Sequence, residues 1–504
     1  MNLSKLEKMR KLRFKISQLV FALILFGSSA VNGQEMLGHS FSLYSGLSAA
    51  TINPALLTGS RVYMEVNIVS GDVSYANDMI YFSAGNNTIS KAIRFDTSLF
   101  NNGSFKWGRS FNYYNNTNNK YFIANMKLLG PSLMLQAGPH AFALSTTIRS
   151  MHSANHIPYE MVVINYEGLS YPKFHGVEFN EDPYSLVSMS WSEIGLSYAY
   201  NFYDLFSNRL TFGITAKALF GYEGAYVDMR NANFTILDSR SIDFKNIDAD
   251  IGYALPVGYG SEFSTNTDPL VKGYGVGADF GLVFTKLKST MVIEGEDKLC
   301  AKPFNDYLFK IGLSVLDVGS ITFNNHTELH QFNNVSKYWI DFDTIRFQGI
   351  DNQMRVYSEG FYGDPDESYS GDRIKIGLPT TISLQFDYHL RHRVYLAALW
   401  MHPLKFNART LWRPAQLAFI PRYESRYFGV SLPVSLFNYK EPRLGLAVRF
   451  YSMTIGTDRL GWMLGLFKLD GMDFYFSFRF NIGKGACISS KRGACSNDDF
   501  GSDW

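Results

Sequence analysis

The sequence predicts an all-β fold, a transmembrane antiparallel up-and-down barrel of about 14 strands, within a range of 12–16. Three observations predict it. Residues 472–482 place Phe474, Phe476, Phe478, Phe480 and Ile482 on one face of a strand. Asp473, Tyr475, Ser477, Arg479 and Asn481 fall on the other. Side chains alternate with period two, so one face suits lipid and the other a polar lumen. Second, the chain opens on an export signal. Third, no later stretch is long and apolar enough for a membrane helix. Lipid cannot satisfy open sheet edges, so an exported membrane chain of this kind closes its strands into a barrel.

The signal occupies residues 1–33. Lys5, Lys8, Arg10, Lys11, Arg13 and Lys15 precede an apolar run over 16–26. Small residues follow to Gly33, with cleavage after Ala30 or Gly33. The run is too short to span a bilayer, which takes about 20 residues. No Cys stands at the cleavage site, which argues against a lipid anchor.

Composition agrees. Of 504 residues, 16% are aromatic and 18% charged, and 31 Tyr and 41 Phe far outnumber 7 Trp. Aromatic belts at two membrane interfaces use such residues. The formal net charge of +2 includes six basic residues and one acid in the signal. The mature chain is therefore mildly acidic, and no nucleic-acid partner is expected. Three cysteines are too few for a disulfide scaffold.

Residues 34–60 are not barrel-like. Asn53 reads as a helix cap and Pro54 as a first helical residue. Leu37, Phe41, Leu43 and Leu47 supply apolar groups for a plug-like segment. The barrel is placed at 61–483. A strand pair is expected at 61–70 and 73–83, then a long loop over 84–118 with a helical turn near 89–94. Gly138-Pro139-His140 turns one strand into another, with Phe142, Leu144, Thr146 and Ile148 opposite Ala143, Ser145, Thr147 and Arg149. Residues 151–190, 229–270 and 325–372 read as loops. Between them strands alternate from 193, 209, 274 and 307. In the last third, strands fall at 381–389, 394–402, 413–423, 427–437 and 443–451. Pro433 predicts a bulge or break, since it donates nothing to a ladder. Residues 459–468 read equally as strand or helix. A polar tail, 484–504, carries Cys487 and Cys495, free or bridged in an oxidising compartment.

The polar faces carry Arg149, Glu193, Lys217, Asp279, Lys310, Asp387, Arg449, Asp473 and Arg479. Neither sign dominates, so these lumen candidates are expected to pair with one another rather than select an ion. No catalytic constellation stands out, and the chain is not read as an enzyme. His326 and His330 are too few for a metal site, so neither metal nor cofactor is expected. His152 and His156 lack a placed nucleophile.

Several stretches carry a resemblance. GPSLMLQAGPHAFALSTTIRS (130–150), WSEIGLSYAY (191–200), GITAKALFGYEGAY (213–226), KIGLSVLDVGSI (310–321), LPTTISLQFDYHL (378–390), PRYESRYFGVSLPVSLFNY (421–439) and MTIGTDRLG (453–461) are the matching pieces. Together they resemble a family of uncharacterised outer-membrane β-barrel proteins of Bacteroidota. Asn53-Pro54-Ala55 is similar to the N-terminal plug of fatty-acid-transporter-like barrels. The resemblance implies the outer membrane as location and a barrel as fold. It implies no activity. Two functions remain open: a channel or transporter-like barrel for a small or apolar solute, and a structural or assembly barrel that anchors cell-surface machinery through its loops. Outer-membrane lipid is the expected surrounding, and envelope proteins are the expected partners in the second case.

Overall fold

The computed structural model describes residues 36–82, 111–205, 207–257, 269–288, 307–345, 347–463 and 468–482. The export signal, the turn expected at 89–94, Cys300, and the tail with Cys487 and Cys495 lie outside these residues.

Alternating residues build a ring of 14 strands. They are β1 (Met64–Asn77), β2 (Lys120–Leu129 and Ser132–Ala137), β3 (His140–Ile157), β4 (Tyr184–Leu205) and β5 (Asn208–Ile236). Then come β6 (Ile242–Ala254 and Gly273–Leu287), β7 (Tyr307–Phe323 and Thr327–Trp339) and β8 (Tyr369–Gly371, Ile374–Gly377 and Thr381–Arg391). The ring continues through β9 (Val394–Pro403), β10 (Gln416–Glu424), β11 (Phe428–Ser431 and Val434–Phe437) and β12 (Glu441–Leu444 and Leu446–Phe450). It ends with β13 (Met453–Thr457) and β14 (Gly471–Ile482). Each strand pairs antiparallel with its neighbours. β14 returns to β1, with Phe480 opposite Val66 and Phe474 opposite Val73, so the sheet has no open end. Closure removes the unpaired edge that lipid could not satisfy.

The two faces differ as a membrane requires. On β14, Phe474 and Phe480 are exposed, while Asp473, Tyr475, Ser477 and Arg479 are buried. Leu144, Leu196, Phe212, Leu282, Leu313, Phe386, Phe419 and Ile455 continue the apolar exterior around the ring. Stacked rings mark its rims. His140 lies 4.8 Å from Tyr200 near one end, and Trp400 lies 5.7 Å from His402 near the other. The end holding the 137–140, 391–394, 424–428 and 450–453 connections has short turns, and the opposite end has long loops.

Several sequence expectations are corrected. Met64–Asn77 is one strand, not a pair. Gly71-Asp72 does not turn, because Asp72 is paired opposite both Tyr475 and Lys127. Much of 151–190, 229–270 and 325–372 is strand rather than loop. β5 alone runs for 29 residues, where a membrane crossing takes about 9–11. β4 to β8 therefore rise as a sheet beyond the bilayer, where polar side chains can face water. Arg230 pairs there with Asp248 at 2.6 Å, and Lys245 with Glu178 at 2.7 Å. Short-range polarity hides such strands, since pairing across a sheet satisfies the same residues that favour loops. Helix α4 packs on this sheet, following α1 (Leu37–Ser40), α2 (Leu47–Ala50) and α3 (Tyr159–Glu167) in the chain. It spans Ile350–Tyr362 and buries Ile350 and Met354 against Phe332 and Val335. A one-turn helix α5, Leu460–Met463, lies in the stretch that read equally as strand or helix. β11 is broken at Leu432-Pro433.

Candidate functional site: the barrel interior

The interior is filled from both ends. From the short-turn end, residues 36–63 run inside the ring before β1 begins. The wall holds this segment largely by its backbone. Asp458 accepts the Leu37 N–H at 3.2 Å, and the Tyr475 hydroxyl accepts that of Gly38 at 3.2 Å. Glu424 accepts the Ser42 hydroxyl at 3.0 Å and the Leu43 N–H at 3.3 Å. Arg479 donates to Ser45 O, Gln136 to Thr58 O, and Lys310 to Gly59 O. The His39 imidazole is pushed well below its ordinary pKa by burial first, then by Arg479 and Arg449.

Asn53 and Pro54 form the corner of the segment. Asn53 is extended, and its side chain accepts the Ala55 N–H at 2.9 Å, capping the 3-10 turn Pro54–Gly59. Its amide donates to Gln385 at 2.9 Å and to the Leu282 and Leu313 carbonyls at 3.3 Å. The Ile52 carbonyl accepts from Ser314 at 2.6 Å and from Gln385 at 3.2 Å. The wall makes room for this corner with glycines. A Cβ at Gly281 would meet Asn53 at 2.0 Å, and one at Gly213 would meet the Ala55 nitrogen at 2.3 Å. Apolar contacts complete the fit. Leu37, Phe41 and Ile52 pack on Ala397, Leu399, Met401 and Ile420. Leu47 and Leu57 pack on Met134, Ala141, Ala143 and Ala199. The cavity between segment and wall, beside Leu56, Lys310 and Gln385, has a volume of about 30 Å³. That is room for water, not for a solute.

All nine charged candidates lie inside the ring, and the structure joins them to residues that alternation did not single out. Arg149 contacts Glu193 at 3.0 Å and takes Asp317 in two bonds, at 2.9 and 3.1 Å. Lys217 bridges Asp279 at 2.8 Å and Asp317 at 2.6 Å. Asp387 accepts from Arg422 at 2.8 Å and Tyr307 at 2.6 Å. Lys310 lies 4.1 Å from the Tyr307 ring centre. The Arg449 guanidinium lies 4.4 Å from the Tyr44 ring centre. Asp473 accepts the Asp458 N–H at 2.6 Å, and Arg479 lies 3.6 Å from Glu65. Asp317 escaped the sequence pattern for a physical reason. It sits at φ +55°, where the β6–β7 register shifts, so two consecutive residues, Leu316 and Asp317, are buried. Arg422 and Glu424 were legible. They share the face of Ala418 and Ile420, opposite Leu417, Phe419 and Tyr423.

Toward the long-loop end the interior changes character. Met151, Val187, Met189, Trp191, Leu219, Ile321, Phe323, Ile376 and Leu378 form one buried apolar cluster with Leu411 and Trp412. The last two belong to the connection between β9 and β10. This connection folds inward instead of projecting away. Trp412 N–H donates to Ser153 on β3 at 3.0 Å, and Lys405 donates to Ser185 on β4. Arg409 pairs with Asp250 on β6, and Thr410 bridges Gly377 on β8.

His152 and His330 make local polar contacts. His152 is bonded by Ser188 at 2.7 Å and Ser150 at 3.1 Å, with no carboxylate behind either ring nitrogen. His330 contacts Ser368 and Glu328. Among the described residues no cluster could hold a metal ion.

Three solved structures align with most of the chain at low identity. A TodX deltaS2S3 mutant monoaromatic hydrocarbon channel aligns at 10% identity over 90% of this chain and 99% of its own, with a TM-score of 0.42. The Ralstonia pickettii toluene transporter TbuX aligns at 10% identity over 90% and 100%, with a TM-score of 0.39. A Pseudomonas aeruginosa FadL homologue aligns at 13% identity over 90% and 98%, with a TM-score of 0.35. No curated protein matches the chain. The model of a family of unknown function, DUF5723, matches residues 54–458, from the Pro54 corner through Asp458 beside β13. The chain is a member of the DUF5723 family.

Proposed function

We propose that this protein is an outer-membrane transport barrel for a small apolar solute, with residues 36–60 as its plug. One observation carries the reading. The long-loop half of the lumen is lined with apolar side chains, from Met151 to Leu378. A barrel that only had to stay closed could fill that half with paired charges, as it fills the other half around Arg149 and Lys217. Apolar walls inside a membrane barrel suit an apolar passenger. The long loops face the cell surface in this reading, and the plug lies toward the periplasm.

The test is deletion of residues 37–58 with the export signal kept. Transport predicts higher single-channel conductance in planar bilayers and higher sensitivity to bulky antibiotics. Unchanged permeability at normal membrane levels of the variant would refute it. A second reading, a barrel that anchors surface machinery, draws on the hydrogen-bonded grip between segment and wall. It predicts no change in permeability and loss of crosslinked surface partners when the sheet above the membrane, with α4, is removed.

A further inference from the structure

We propose that Leu411 and Trp412 occupy a binding chamber for a flat apolar molecule about the size of an indole ring. In this proposal a ligand enters by displacing them. It rests on the transport reading and names the ligand class and the device that guards its site.

The chamber is apolar on its surrounding strands. Ile321 and Phe323 come from β7, Ile374 and Ile376 from β8, Met189 and Trp191 from β4, and Tyr121 and Ile123 from β2. The Trp412 indole stands edge-on to Tyr121 with ring centres 5.8 Å apart. Leu411 is 2% exposed and Trp412 8%. These are the large apolar side chains of an inward-folded surface connection, and they fill a space enclosed by wall residues.

The connection is held differently from the N-terminal segment. That segment is gripped along its length by wall side chains. The connection is held nearer its ends by Leu404 N–H to Thr380 O, Lys405 to the Ser185 hydroxyl and Asn438 N–H to Ala415 O, and near its tip by bonds from main-chain N–H groups. The tip bonds are Gly377 N–H to Arg409 O, Leu411 N–H to Gly377 O, and Trp412 N–H to the Ser153 hydroxyl. The Arg409–Asp250 pair fastens it at the mouth, where the Arg409 side chain is 36% exposed, Asp250 is buried, and Arg230 shares the carboxylate. The two ends of the connection are anchored on the adjacent strands β9 and β10, so it can swing out without breaking the ring. An occupant that must leave first weakens apparent affinity by the fraction of time the chamber is open. Such self-occupation keeps apolar walls dry when no ligand is present.

The geometry supplies its own lock. A Cβ at Gly377 would lie 3.3 Å from the Thr410 Cβ, close to the spacing that a disulfide spans. The test uses the full chain in lipid nanodiscs with Cys300→Ser, Cys487→Ser and Cys495→Ser. Indole binding is read by equilibrium dialysis, corrected against empty nanodiscs. Gly377→Cys with Thr410→Cys should bind at least tenfold less indole when oxidised than when reduced. Trp412→Ala should bind at least tenfold more tightly than the parent chain. Heat-modifiable gel mobility confirms that each variant is a folded barrel. Should the paired-cysteine variant fail to fold, the Trp412→Ala comparison decides alone. Equal binding by oxidised and reduced protein, no gain in Trp412→Ala, or no indole binding by any variant overturns the proposal. Lock-dependent binding without permeation in the plug-deleted barrel would instead sink the transport reading and leave this site standing.

Discussion

The side-chain amide of Asn53 rests directly on Gly281. A Cβ at that position of β6 would lie 2.0 Å from the Asn53 amide oxygen. The contact joins the N-terminal segment to a wall residue 228 positions later in the chain, where only a hydrogen fits.

Gly281→Val should therefore expel the Asn53–Pro54 corner. The barrel ladder needs no side chain at 281, so insertion should persist. Conductance should rise toward that of the plug-deleted barrel. Gly371→Ala is the control, since a Cβ there meets nothing within 4 Å. Equal conductance for both variants would show that the corner does not depend on this fit.

Arg149, Glu193 and Asp317 form a buried unit, with side chains no more than 8% exposed. Removing Arg149 leaves Glu193 without its ion pair, while Asp317 keeps Lys217. Arg149→Met should cost about 3–5 kcal/mol in denaturant unfolding from vesicles. Adding Glu193→Gln to it should recover part of that loss. Strict additivity of the two changes would disprove the coupling.

Phe476→Arg and Phe478→Arg put a charge on the exterior of β14. Each should lower insertion by about 2–4 kcal/mol where the residue faces the bilayer midplane. Ser477 lies inside, and its hydroxyl is 2.8 Å from that of Ser70. The interior is packed at that position, so Ser477→Ala is the neutral control. Comparable loss of membrane integration in all three would reverse the assigned faces.

Asp78, just past β1 at the long-loop end, accepts the Tyr121 N–H at 2.6 Å. Burial pushes its carboxyl up to about 6. The folded chain thus favours the protonated acid. That stabilisation is present below the unfolded value of about 3.9 and is lost as pH rises through 6. Asp78→Asn keeps the acceptor and removes the charge. It should gain about 1–3 kcal/mol at pH 7.5 and nothing at pH 4, read by thermal melting at both values. A gain independent of pH would rule out the titration.

The ring itself was legible because alternation is local. Phe474, Phe476, Phe478 and Phe480 announce a lipid face without reference to any other strand. The same rule set Arg149, Glu193, Lys217 and Arg479 on the opposite faces. The Asn53-Pro54 corner was legible too, since capping is settled within three residues. Tertiary structure decided the rest. Asp317 enters the interior through a register shift that exists only between β6 and β7. Strands above the membrane looked like loops, because their polar residues are satisfied by partners far along the chain, as Asp250 is by Arg409. The inward fold of Leu411 and Trp412 depends on Gly377 and Ser153, residues on strands that local sequence cannot bring together. Periodicity reports which way a side chain points. What it meets there depends on the closure of the whole ring.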